Sequence, residues 1–408
     1  MKDLRRRSIA VLALALWLVS GSVAEAQRPI RIGASASKTG PFAAVGQNQL
    51  RGYELCVKHT NDKGGVLGRR LELVVEDDQS QGATARGIYE RLITQEKVDL
   101  VLGPYGSPMT APVADVTEKH RTPMVAPTAG TASIFKQGRK FIFMVFSPAE
   151  RHLEGFVELA ARNGLKTIAL IGEDSLYPQE AVKGAAELAK KSGLRVVFAE
   201  AYPRRTTDFS AILIRARDTT PDALAAATFF EDAVAVTRQM KALDLNPKMY
   251  AATVGVPQPK FHETLGRSAE FVYGPSQWER ELVTLRAGGL IPIARQYPGA
   301  REFVEAHQRE YPEADLSYQT AAGYAGCQVL MEATRRAGSL DRGKIRDAIL
   351  KLDFNTVFGA FKVDADGRQI AHKMVTIQWQ DGKRVIVWPE ELAPGKPRFP
   401  TPPWSRRQ

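Results

Sequence analysis

Along the chain, short apolar runs rich in β-branched residues alternate with longer stretches whose apolar positions recur at helical spacing. "IRIGAS", "LELVVEDD", "VDLVLG", "TPMVAP" and "KFIFMVF" read as strands. Between them, "QNQLRGYELCVKHTND" reads as a helix closed by Gly64-Gly65, and "ATARGIYERLITQEK" places Ala85, Ile88, Leu92 and Ile93 on one helical face. Another helix is expected from Ser107. After "AERHLEGFVELAARNG" a second series begins: "KTIALIG", a helix from Pro178 to Ser192, "LRVVFAEA", a helix near Asp208 to Arg217, "DALAAAT", a helix near Glu231 to Leu243, and "KMYAAT". Such alternation predicts parallel sheets covered by helices on both faces, and two series predict two doubly wound α/β lobes.

The rest of the chain has a different pattern. "GAREFVEAHQREY", "YQTAAGYAGCQVLMEATRRAG" and "LDRGKIRDAILKL" are helical. "GAFKVDADGRQIAHKMVTIQWQDGKRVIVW" carries Asp-Gly turns between strand-like runs, so antiparallel hairpins are expected. "ELVTLRAGGLIPIARQYPGA" has no clear period and reads as a surface loop near a crossover between the lobes.

The first residues change the setting. "MKDLRRRSIAVLALALWLVSGSVAEAQ" has a basic start, an uncharged apolar stretch from Ile9 to Val19 and an Ala-x-Ala site at Ala24 to Ala26. That is the secretory leader pattern, and the stretch is short of the roughly 20 apolar residues of a stable span. Residues 1–26 are therefore read as a signal peptide cleaved near Ala26, and the mature protein as exported and soluble. The formal charge of +11 is spread among acids rather than gathered in a stripe, which argues against nucleic acid as a partner. Residues 396–408 form a basic, proline-rich tail, expected to be solvated.

Cys56 and Cys327 both fall in helix-like stretches and are expected as buried free thiols, with a disulfide as the alternative that export permits. The six histidines show no zinc-binding spacing, so no metal or cofactor is expected.

In open parallel sheets, ligands sit beyond the carboxyl ends of the strands. Three loops fall there in the first lobe. In "GPYGSP" Ser107 is a candidate helix cap, with Pro108 at the first helical position, and would offer a hydroxyl and free N–H groups to an anion. "APTAGTAS" follows with hydroxyls and a glycine, and "KTGPFAAVG" offers Phe42 beside flexible glycines. Each alone is ordinary loop chemistry; three at one sheet edge predict a site.

Catalytic motifs are missing. The chain has no G-x-G-x-x-G after the first strand, no G-x-x-x-x-G-K-[ST] and no G-x-S-x-G. Asp77 and Asp78 are neighbours on an extended segment, point opposite ways, and are taken as exposed strand-end charges rather than an acid–base pair. An enzyme is not expected.

These stretches resemble a known family. "IRIGASASKTGPFAAVGQNQLRGYELCVKHTNDKGGVLGRRLELVVEDDQS", "DLVLGPYGSPMTAPVADVTEKHRTPMVAPTAGT", "IALIGEDSLYPQEAV", "DFSAILIRAR" and "TVFGAFKVDADG" are similar to the leucine/isoleucine/valine-binding family of periplasmic solute receptors, over Ile30 to about Trp388. The run from Asn61 to Gly68, with the strand and Asp-Asp pair after it, is the most specific part. The resemblance implies the type I periplasmic binding protein fold, with two lobes joined by a three-crossing hinge that close on a ligand. It places crossings near Phe146 to Pro148, Tyr273 to Ser276 and Asn355 to Gly359. Lobe one is then 28–147 plus 275–357, and lobe two 148–274 plus 358–395. It also implies a monomer in the periplasm, working with an inner-membrane ABC permease and its ATPase subunits, or, in the sensory variant of the same fold, a receptor for a signalling protein.

The resemblance implies the site residues as well. Ser107 and the loop Thr128, Ala129 and Gly130 match the carboxylate grip of amino-acid-binding members. Tyr105 lies beside it. Tyr177 and Phe229 match aromatic positions of the facing lobe, Phe42 that of the first loop, and Tyr318 and Gln319 lie near a further pocket-facing position. Amino-acid binders hold the ammonium group with a hydroxyl in the second loop and an acid in lobe two. Here those positions are Gly130 and Val254. A buried ammonium without its partner costs several kcal/mol, against about 1.5–3 kcal/mol for one charge-assisted hydrogen bond to the carboxylate. The expected ligand is therefore a small carboxylate with an apolar or aromatic body. A branched-chain or other amino acid is the alternative, requiring Glu231 or Asp232 to turn inward.

Overall fold

The computed structural model describes residues 28–284 and 293–407. The leader, and residues 285–292 of the aperiodic segment from Glu281 to Ala300, lie outside the described residues; short helices at Glu281–Thr284 and Ile293–Gln296 stand on either side of 285–292. Among the described residues no helix is long and apolar enough to cross a membrane.

The first sheet contains β1 (Ile30–Ala36), β2 (Leu71–Asp77), β3 (Leu100–Leu102), β4 (Met124–Ala126) and β5 (Ile142–Met144), in the order β2-β1-β3-β4-β5 and parallel throughout. β1 and β2 stay in register from Ile30 opposite Leu71 to Ala36 opposite Asp77. β3, β4 and β5 are wholly buried, as strands covered on both faces must be, which is why they read as continuous apolar runs.

The second sheet begins with β6 (Thr167–Glu173), β7 (Arg195–Tyr202), β8 (Ala223–Ala227), β9 (Met249–Ala252) and β10 (Tyr273–Ser276). A separate antiparallel pair, β11 (Asp353–Thr356) and β12 (Gly359–Lys362), precedes β13 (Val375–Gln380) and β14 (Lys383–Trp388). The seven-stranded order is β14-β13-β10-β9-β8-β6-β7, with β13 antiparallel to β10 and β14 antiparallel to β13. The β13–β14 hairpin turns at Asp381-Gly382, both at positive φ, as Asp-Gly hairpin turns require. At Asp366-Gly367 there is a turn but no strand pair, only a bridge between Val363 and Gln369.

The chain passes between the two sheets in three segments that are hydrogen-bonded side by side. Ser147 N–H donates to Gln277 Oε1 at 3.0 Å, its hydroxyl donates to the His372 carbonyl at 3.1 Å, and His372 Nε2 meets the Gln277 carbonyl at 2.9 Å. β10, at the second expected crossing, pairs with β9 and β13 in the seven-stranded sheet.

Three expectations are corrected. Cys56 and Cys327 are not free thiols but form a disulfide, with Cα atoms 6.2 Å apart. The Ala43–Asp62 and Tyr318–Ala337 helices pack at glycines: a Cβ on Gly52 would meet the Thr320 carbonyl oxygen at 2.2 Å, and one on Gly323 the Gln49 carbonyl oxygen at 2.3 Å. Backbones that close bring the two sulfurs within bonding reach. Asp78 is not an exposed strand-end charge. It is fully buried and accepts the hydroxyls of Ser35 at 2.7 Å and Ser37 at 2.6 Å, while Asp77 accepts the Lys38 N–H and the Thr39 hydroxyl, so the pair braces the loop after β1. Finally, the tail is docked rather than solvated. The Thr401 N–H donates to the Lys248 carbonyl, buried Trp404 donates its indole N–H to the Leu245 carbonyl at 2.8 Å, and the Arg407 guanidinium stacks 3.6 Å from the Trp404 ring centroid. An apolar anchor and a cation–π contact outweigh the hydration of a proline-rich end.

Candidate functional site

The helix after β3 shows how local sequence sets the site. It runs from Gly106 to Lys119, so its cap is Tyr105, two residues before the expected one, and Ser107 is its second residue and Pro108 its third. Gly106 sits at φ +69°, a turn that favours glycine, and its N–H donates to the Thr128 hydroxyl at 2.9 Å. The neighbouring loop thus supplies the capping hydroxyl that Ser107 was expected to provide. Thr128 donates in turn to Gln49 Oε1 at 2.6 Å, which ties both loops to the Ala43–Asp62 helix. The Ser107 hydroxyl accepts the Thr131 N–H at 3.2 Å.

Between the lobes lies a cavity of about 850 Å³. Of the expected site residues, Phe42, Tyr105, Phe229 and Val254 line it. Ser107, Thr128, Ala129, Gly130 and Tyr177 do not line it; Ser107, Thr128, Ala129 and Tyr177 are buried, and a Cβ on Gly130 would lie 3.4 Å from His152 Nε2. A row of rings in contact runs from the cavity wall into the buried residues. Tyr105 lies 5.8 Å from Phe42, Phe42 5.1 Å from Phe229, Phe229 5.7 Å from Tyr177, and Tyr177 5.3 Å from His152, centroid to centroid. Phe42 and Tyr105 come from loops of the five-stranded sheet, Phe229 from a loop of the seven-stranded sheet and Tyr177 from the first turn of its Leu176–Lys191 helix.

Around the rings lie buried polar groups. Burial pushes the hydroxyls of Tyr105 and Tyr177 above the ordinary tyrosine range. Gln258 of the second lobe, which also lines the cavity, donates to Gln319 Oε1 of the first at 3.1 Å. His152 Nδ1 meets the Tyr177 hydroxyl at 3.0 Å; burial lowers this imidazole to about 4, so it is neutral at pH 7. Thr131 Oγ1, Thr228 Oγ1 and Gln319 Nε2 are buried with no hydrogen-bond partner, the state of groups that a bound molecule or water satisfies.

The cavity's outer wall is charged. Glu173, Glu231 and Asp232 line it from the second lobe, and so do Arg204, Arg205 and Lys260. Asp232 accepts the Tyr202 hydroxyl at 2.8 Å; burial, aided by Glu173 and Glu231, raises its carboxyl to about 6. Among the described residues no cluster of His, Cys, Asp or Glu is placed to hold a metal ion.

Thr131, Thr228, His152 and Gln258 stand outside the residues that the sequence pattern and the resemblance mark. Thr131 had a signal: a hydroxyl was sought at Gly130, and the next residue carries one. His152 had none, since it reaches Tyr177 only once the hinge is folded.

Two α/β lobes face each other across an aromatic-walled cavity. The periplasmic binding protein family model matches residues 29–384, and the chain belongs to this family, in its branched-chain-amino-acid type. It is 26% identical over 406 residues to the Leu/Ile/Val-binding protein homolog 7 of Brucella abortus (strain 2308), covering 96% of this chain and 99% of that protein. Its structure is similar to the leucine binding protein LivK of Thermotoga maritima MSB8, at TM-score 0.77 and 25% identity over 88% of this chain and 97% of that one. The isoleucine complex of LivJ from Streptococcus pneumoniae has the same fold, at TM-score 0.75 and 23% identity over 88% and 98%. The fold is thus the type I periplasmic binding protein fold, and family and fold are those of substrate-binding proteins, not enzymes.

Proposed function

We propose that this protein is the periplasmic solute receptor of an ABC importer and captures a small carboxylate with an apolar or aromatic body. The leader delivers it to the periplasm, where it works as a monomer. The lobes part and close about the three bonded passages at Ser147, Gln277 and the segment before β13, and the closed form docks on an inner-membrane permease served by ATPase subunits. The carboxylate is held by the Ser107 hydroxyl, Thr131 and the Thr128–Gly130 loop, and the ligand's body lies among Phe42, Tyr105, Tyr177, Phe229 and Val254. The observation that carries this reading is the row of rings contributed by both lobes at the cavity, together with the unpartnered buried polar groups of Thr131, Thr228 and Gln319. A ligand that satisfies both sets of groups at once binds the closed form better than the open one, and only such a difference drives closure.

A second reading, uptake of a branched-chain amino acid, is favoured by Glu173, Glu231 and Asp232 on the same cavity wall. Against it, Asp232 is already engaged by Tyr202, and Val254 stands where amino-acid binders carry an acid. A thermal-shift screen of aliphatic acids, aromatic acids and free amino acids separates the two. The first reading expects the largest stabilisation from simple acids, with stability rising with ligand concentration above Kd. A response to leucine or isoleucine alone overturns it in favour of the second.

A further inference from the structure

Glu180 does not line the cavity, yet it joins the two lobes. It belongs to the Leu176–Lys191 helix, between β6 and β7 of the seven-stranded sheet. One carboxylate oxygen accepts the Ala132 N–H at 2.6 Å and the other the Ser133 N–H at 2.9 Å. Those amides follow β4 of the five-stranded sheet. Three successive N–H groups are therefore committed: Thr131 to Ser107 within its own lobe, and Ala132 and Ser133 to Glu180 across the cleft. Tyr177 lies one turn before Glu180 on the same helix, where residues three apart are neighbours on one face.

We propose that Glu180 is an inter-lobe latch and a positioning residue for the binding site. Its carboxylate draws the loop that holds Thr131 and the helix that holds Tyr177 into one arrangement. Donors and acceptor sit on different lobes, so both hydrogen bonds exist only when the lobes are closed. Charge-assisted bonds of this kind are about twice as strong as neutral ones. The latch therefore sets how much of the ligand-free protein is closed, and with it the affinity for a ligand that Glu180 does not touch. The inference rests on the reading that the lobes part to admit a ligand.

The test uses the full-length mature protein carrying spin labels at cysteines substituted for the exposed Arg86 and Arg217, one on each lobe. Inter-lobe distances are recorded without ligand and with each compound of the screen, for wild type, E180A and E180Q. The expected result is a loss of the short-distance population in ligand-free E180A by about tenfold. E180Q, whose amide oxygen still accepts one N–H, falls between. Hydrogen exchange at Ala132 and Ser133 rises in the same order. Identical distance distributions in wild type and E180A overturn the latch. If screen compounds shorten the distance while E180A does not lengthen it, solute capture stands and the latch falls. If E180A lengthens it and no compound shortens it, the latch stands and the capture reading falls.

Discussion

Phe42 and Phe229 meet across the cleft with ring centroids 5.1 Å apart and planes tilted by 56°. Each comes from a different lobe, and each bears on a tyrosine of its own side, Tyr105 or Tyr177. A ring pair contributes roughly 0.5–1.5 kcal/mol beyond the area it buries. Phe229→Ala removes one side of the wall and its contact with the ligand's body. Affinity for the tightest acid of the screen should fall about tenfold or more. Phe229→Leu keeps most of the apolar area and should recover part of it. Isothermal titration of the three proteins reads the order; equal affinities would place the ligand elsewhere.

Ser107 Oγ accepts the Thr131 N–H inside the protein. Ser107→Ala leaves that buried donor without a partner, at a cost of about 1–3 kcal/mol in folding stability. It also deletes a hydroxyl of the proposed carboxylate grip, so ligand affinity should drop at least about tenfold. Calorimetric unfolding and ligand titration check the two effects separately. A stability loss with unchanged affinity would leave Ser107 as a brace only.

The strands and helices were legible because covered parallel strands are apolar throughout and packed helices are apolar on one face, as Leu100–Leu102 and the Ala85–Ile93 stripe show. Phe42 and Tyr105 were legible as parts of loops beyond strand ends, whereas Phe229 and Val254 rest on the family resemblance; all four line the cavity. What stayed hidden depends on long-range contact. Cys56 and Cys327 are separated by 271 positions, and only the Gly52–Gly323 approach of their helices reveals the bond. Asp78 looks like a surface charge until Ser35 and Ser37 close around it. Glu180 is an unremarked helix residue until a loop from the other lobe reaches it. Local pattern specifies elements, whereas partners across a cleft are set by packing.

The Cys56–Cys327 bond closes a loop of 271 positions in the chain. Cross-linking constrains the unfolded state, and removing a native disulfide typically costs about 2–5 kcal/mol. The double variant Cys56→Ala/Cys327→Ala should unfold at clearly lower urea concentration than the oxidised protein, and reduced wild type should match it. Coincident transitions for oxidised and reduced wild type would show that the bond does not form in solution.

Glu279 follows β10, and its carboxyl is almost fully buried, with Oε1 unpartnered and Oε2 3.6 Å from Arg384 Nε. Burial raises it to about 7, the Arg384 charge pulling it only part of the way back. The folded protein therefore keeps this proton in a range where the unfolded chain, with an ordinary glutamate near 4.5, has lost it. Between pH 4.5 and 7 the folded state binds more protons than the unfolded one, so this group's contribution to stability declines as pH rises through that window. Buried His152 and His372, lowered to about 4, act in the opposite direction, because the unfolded chain takes up their protons first as pH falls. Comparison with Glu279→Gln cancels the histidines and isolates the carboxyl. Relative to that variant, wild type should lose stability between pH 5 and 8, on the order of 3 kcal/mol at most. Urea unfolding of both proteins at the two pH values measures the difference. Parallel pH profiles would mean that Glu279 is ionised in the folded protein throughout, with Arg384 holding its charge.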